Sequence, residues 1–170
     1  ELFNESITCY KAGAYRASLL FSYLAYMSII KNRLLRSKLP NGIPQELWDK
    51  ILINLQNEET WDKTSFETTQ RKNPSPIFNI PDSLRREVTY WKDKRNECAH
   101  FRNVIISSHH IDTFWNFTIT TIPKITVIGG KNSLLQKFYN HFNISLTPKG
   151  TDYKELIREI EYSVDESELE

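Results

Sequence analysis

Apolar residues recur at steps of three and four through the first fifth of the chain: Ile7, Tyr10, Ala14, Ala17, Leu20, Phe21, Leu24, Met27, Ile30 and Leu34. That period is helical. It predicts one long helix from about Glu5 to Arg36, with Asn4 as its N-cap and Glu5 in its first turn. The middle of this stretch is apolar nearly all round, which marks it as the central helix of a domain. Gly13 lies inside it beside Ala12, Ala14 and Ala17, a run of small residues that permits close approach of another helix. Leu39-Pro40-Asn41-Gly42 reads as a turn, with Pro44 as the first residue of the next helix.

Leu47, Trp48, Ile51, Leu52 and Leu55 carry a second amphipathic helix, from Pro44 to about Asn57. Thr64-Ser65-Phe66-Glu67 matches a capping box and predicts a short third helix starting there. Residues 72–81 hold Pro74, Pro76 and Pro81 and read as a loop. A helix restarts near Asp82 with the stripe Leu84, Val88, Trp91, which continues at 95 and at 98–99. Arg95 therefore stands where an apolar residue is expected. Ser107 or Ser108 caps a further helix bearing Ile111, Phe114, Trp115, Thr118 and Ile122. The β-branched run 124–128 is either a short extended segment or a ragged helix end, and Gly129-Gly130 is a turn. Helices follow from Ser133 to Phe142 and, behind the capping box Asp152-Tyr153-Lys154-Glu155, to about Val164. The sum is an all-α helical bundle with a long N-terminal helix.

At 170 residues the chain supports one core. The domain is expected to span the whole chain, with its body at about 4–122, a helical extension at about 131–164 and an acidic tail after it. Net charge is only +1, but the distribution is uneven. Six basic residues and no acid lie between Ser6 and Gln45, whereas eight acids fall between Asp152 and Glu170. One positive face able to attract phosphates is the expectation. Two cysteines, Cys9 and Cys98, form neither a disulfide framework nor a metal-ligand spacing, so a cytoplasmic setting is expected. The apolar stretch Ala17–Ile30 is broken by serines and too short to span a membrane, so no membrane association is expected.

The chemistry concentrates in Lys94-Arg95-Asn96-Glu97-Cys98-Ala99-His100-Phe101-Arg102. Asn96 and His100 are four apart and share a helix face, while Arg95 is rotated from His100 by about 140°. A permanent cation that grips phosphate bidentately and a side chain that moves protons near neutral pH suit metal-free cleavage of RNA. The five-residue spacing makes a site on a single helix awkward; a second copy across a dimer axis, or a helix end between the two, resolves it. The bland alternative is a helix-terminal pair, with His100 capping carbonyls and Arg95 bridging Asp93 or Glu97. Arg16 and Arg102 are candidates to line the RNA path, each weighed against an ordinary surface role. His109-His110 with Asp112 reads as a polar helix start, since adjacent helical residues point apart and no fourth ligand is evident. No metal or cofactor is expected.

The motif Arg95-Asn96-x-x-x-His100, together with Cys9-Tyr10-Lys11-Ala12-Gly13-Ala14-Tyr15-Arg16-Ala17-Ser18, resembles the HEPN superfamily over roughly 4–122. The resemblance implies a helical bundle that dimerises, bringing two motifs into one composite, metal-independent ribonuclease site. By it, Arg95 and His100 are catalytic and Asn96 supports them. An antitoxin or a fused sensor domain is the partner it implies beside RNA and a second copy, in a toxin or antiphage-defence setting such as abortive infection. Members paired with nucleotidyltransferase antitoxins usually carry Tyr two residues after the His. Here Arg102 holds that place, so silencing by nucleotide transfer to a tyrosine is not expected. A non-catalytic HEPN-type module binding RNA or nucleotide, or serving dimerisation, is the alternative.

Overall fold

The apolar period from Ile7 to Leu34 is carried by two helices rather than one. In the computed structural model, which describes residues 1–100 and 105–164, helix α1 runs Leu2–Lys11 and helix α2 runs Tyr15–Leu35. Glu1, not Asn4, precedes the first turn. The break is made by Gly13, whose φ of 74° ends α1 in the left-handed region. Its N–H donates to the Tyr10 carbonyl at 3.0 Å and the Ala14 N–H to the Cys9 carbonyl at 2.8 Å, closing a Schellman motif. Gly13 is therefore a stop signal, not a packing notch inside a continuous helix.

The break resets the helical phase. Helix α1 folds back along α2 and buries Ser6, while Ile7 is 40% exposed. Ser6 Oγ donates to the Ser18 carbonyl at 2.9 Å and pairs with Ser22 Oγ at 2.6 Å. Trp115 Nε1 donates to Ser22 Oγ at 2.8 Å, so the small polar face is hydrogen-bonded throughout. A Cβ built on Gly13 meets nothing within 4 Å, so its cost is conformational. Gly13→Ala is expected to remove about 1 kcal/mol, seen as a fall of roughly 2–4 °C in the thermal unfolding midpoint. An unchanged midpoint would mean that α1 does not contribute to the cooperative unit.

Helix α2 is the axis of the bundle, packed by α1, by α3 (Gln45–Gln56), α4 (Trp61–Gln70), α5 (Asp82–Ala99) and α6 (Ser108–Thr121). Its Leu19, Tyr23, Tyr26, Met27, Ile30 and Leu34 are all at most 1% exposed. Burial of each leucine, isoleucine and methionine among them is worth roughly 1.5–3 kcal/mol. Trp48 and Trp91 join the same core, and Trp115 packs half-buried at its edge. Helix α4 begins three residues before the Thr64 capping box, because Thr60 is the N-cap. The hydroxyls of Ser65, Thr68 and Thr69 then bond back to carbonyls of their own helix.

Between Gln70 and Asp82 the chain runs as a loop whose Phe78 makes a single antiparallel bridge with Val127. Val127 is thus paired as a lone bridge residue, between a 3-10 turn at Ile122–Lys124 and the turn that begins at Ile128. The bridge is tied by Ile128 N–H to the Ile77 carbonyl at 2.8 Å. Helices α7 (Lys131–Phe142) and α8 (Lys154–Ser163) pack on one another. Among the described residues the protein is all-α, without a named strand.

Three arginines hold this frame at helix C-termini, where carbonyls lack partners within their own helix. Arg85, 6% exposed, donates through Nη1 to the Thr69 carbonyl at the end of α4 and through Nη2 to the Phe78 carbonyl at 3.3 Å. Arg33 Nη1 donates to the Ile122 and Ile125 carbonyls after α6. Arg16 Nη1 donates to the Glu97 carbonyl in the last turn of α5 at 3.2 Å. Burial lowers the pKa of both Arg33 and Arg85, against an arginine's very high starting value, so both stay charged.

Candidate functional site

The motif occupies the last turns of α5 and the residue beyond it. Arg95, Asn96, Glu97 and Cys98 are helical, and His100 is the C-cap, its N–H donating to the Asn96 carbonyl at 3.0 Å. His100 itself is exposed. Arg102 and the acidic residues after Val164, both named from the sequence, lie outside the described residues.

Arg95 is turned into the bundle. Its Nη2 reaches Asp62 Oδ2 of α4 at 2.5 Å, and its guanidinium carbon stands 5.1 Å from the centroid of the Tyr23 ring of α2. The Arg95 and Asp62 side chains keep only 21% and 25% of their exposure. An apolar stripe interrupted by a cation is resolved in this way: the charge is buried against an aromatic face and met by one carboxylate. Asp62 takes the place of Asp93 or Glu97, the partners expected on the same helix. Glu97 pairs with Lys94 instead, at 2.8 Å, which raises the Lys94 pKa. Burial pushes the Tyr23 hydroxyl up, with the nearby Arg95 charge opposing it.

Among the described residues no hydrogen bond or ion pair joins Arg95 to His100. Arg95 lies against α2 and α4, and His100 is exposed at the helix end. Arg16 is different. Its bond to the Glu97 carbonyl places a guanidinium beside the turn that leads into His100. Burial raises the Cys98 pKa while the Arg16 charge works against it, a second sign of that proximity.

The same end of the bundle gathers polar aromatic groups. The Tyr10 hydroxyl donates to Asp112 Oδ2 of α6 at 3.3 Å, and that bond raises its pKa. The Tyr10 ring lies 5.0 Å from Trp115 and 5.7 Å from Tyr15. The α1–α2 turn, the end of α5 and the start of α6 therefore converge. His110 closes the cap of α6: its Nδ1 accepts the Ser107 N–H at 3.2 Å and meets Ser107 Oγ at 3.0 Å. His110 thus serves a helix start, and the described residues hold no group of three ligand-type side chains suited to a metal. No described helix is long and apolar enough to cross a membrane. Cys9 and Cys98 are free thiols.

Comparison of the chain with protein-family models, with curated proteins and with solved structures finds no match.

Proposed function

We propose that this chain is a HEPN-type endoribonuclease that cleaves single-stranded RNA without a metal, at a site completed by a second copy. The observation that carries the reading is the end of α5. There an exposed His100 leaves the helix one turn after Asn96, while Arg16 is fixed to the Glu97 carbonyl of the same turn. A proton-transfer group and a permanent cation thereby share one end of the bundle. In the proposed reaction the ribose 2′-oxygen attacks the adjacent phosphorus and loses its proton to one His100. The P–O5′ bond breaks, and the leaving 5′-oxygen is protonated, with the partner copy's motif supplying the second acid–base group. Arg95 meets the charge that builds on the non-bridging oxygens. Asn96 orients the imidazole or donates to the phosphate, and Arg16 and Arg102 follow the RNA backbone. A toxin or antiphage-defence effector, held in check by an antitoxin or a fused sensor, is the setting that fits.

The products of this reaction are a 2′,3′-cyclic phosphate and a 5′-hydroxyl. Incubating single-stranded RNA with the protein in EDTA is expected to yield those ends. Products bearing a 3′-hydroxyl, or a strict requirement for a divalent ion, would contradict the mechanism.

One observation favours a second reading. The Arg95 guanidinium is already engaged by Asp62 and Tyr23. A non-catalytic module of the same fold, binding RNA or nucleotide or serving dimerisation, would keep the arginine in that place. It predicts binding without turnover.

A further inference from the structure

The Asp62–Arg95 pair is a poor match for the group it holds. An arginine fork and a carboxylate pair best through two parallel bonds. Here Arg95 meets Asp62 through Oδ2 alone, while Oδ1 accepts the Lys63 N–H at 2.7 Å. Arg95 Nε is buried and has no hydrogen-bond partner. A buried donor left unmade costs about 1–3 kcal/mol. The guanidinium is thus oriented by stacking on Tyr23 and by a single carboxylate oxygen, with part of its donor set unused. A phosphodiester presents two non-bridging oxygens that suit the fork. It also repels a carboxylate at that distance, so the two anions compete for one cation.

We propose that Asp62 governs the availability of Arg95, and that an RNA phosphodiester must displace the carboxylate to engage the motif. The inference rests on the reading of Arg95 as a phosphate-binding residue and adds the residue that regulates it. Helix α4 becomes a working part of the site, and Asp62 is a positioning residue acting through Arg95. The exchange also releases Arg95 from the α2–α4 side.

The test measures binding with cleavage blocked, using a short fluorescent oligouridylate whose 2′-hydroxyls are methylated, at low salt. Asp62→Asn is expected to tighten binding by roughly fivefold, and the gain should shrink as salt rises. In an Arg95→Ala background the same substitution should change nothing, since the competing cation is gone. Asp62 sits in the first turn of α4, and if its asparagine variant folds poorly, Asp62→Ser carries the same expectation. Unchanged or weaker binding in a folded Asp62 variant would overturn the proposal and leave the pair a structural tie. So would an equal gain in the Arg95→Ala background. Binding without cleavage of unmodified RNA would refute the nuclease reading while the exchange still stands. No binding by any variant would refute both.

Discussion

Arg85→Ala is expected to lower the thermal unfolding midpoint by roughly 6–12 °C, a large loss for a substitution outside the apolar core. The side chain is 6% exposed and ties the end of α4 to the loop that carries Phe78. Removing it strands the Thr69 carbonyl, at about 1–3 kcal/mol when buried and unmade, and takes one of two donors from the Phe78 carbonyl, which keeps the Ile80 N–H at 3.0 Å. For a chain of this size about 3 kcal/mol corresponds to roughly 6–12 °C. Arg85 Nε also lies 3.6 Å from Asp82, but that carboxylate is 60% exposed, so the ion pair adds little. Arg85→Met separates the contributions, because methionine keeps an apolar stem and loses every donor. Its midpoint should stay close to that of the alanine variant. A methionine variant as stable as wild type would show that packing, not carbonyl capping, is what Arg85 supplies.

His100→Ala is expected to cut the rate of RNA cleavage by about two to four orders of magnitude, the range for losing a general acid or base. Stability should barely move, since the imidazole is exposed and only the backbone N–H caps α5. Arg95→Ala should fall by a similar factor through loss of charge stabilisation. It should also unfold more readily, because Asp62 then loses its partner and Tyr23 its stacked cation. Arg95→Lys keeps the charge without the fork, so a partial recovery in binding with little recovery in rate is the expected pattern.

The all-α class and the order of helices were legible because long apolar periods and prolines mark them locally. So was the place of the motif residues, an arginine in the apolar stripe of α5 and a histidine at its end. The break at Gly13 was not, because both helices continue the same three-and-four spacing and only the backbone conformation separates them. That error hid the serine face, since Ser6 becomes interior only once α1 folds back on α2. Asp62 went unread for a related reason. The Thr64 capping box drew the start of α4 three residues too late, leaving Asp62 outside any helix. Its pairing with Arg95 spans 33 positions, and nothing in local spacing announces it. The capping roles of Arg16, Arg33 and Arg85 are likewise set by which helix ends meet. In the sequence they are only basic residues.

The proposed function requires Arg95, Asn96 and His100 to act as a metal-free RNA-cleaving motif. Wild type and His100→Ala, shown to unfold at the same temperature, are given the same single-stranded RNA in EDTA and followed by the appearance of cut ends. Cleavage by wild type, slowed at least a hundredfold in the variant, is the expected result. Equal cleavage by both proteins, or none by wild type at any concentration, would contradict it.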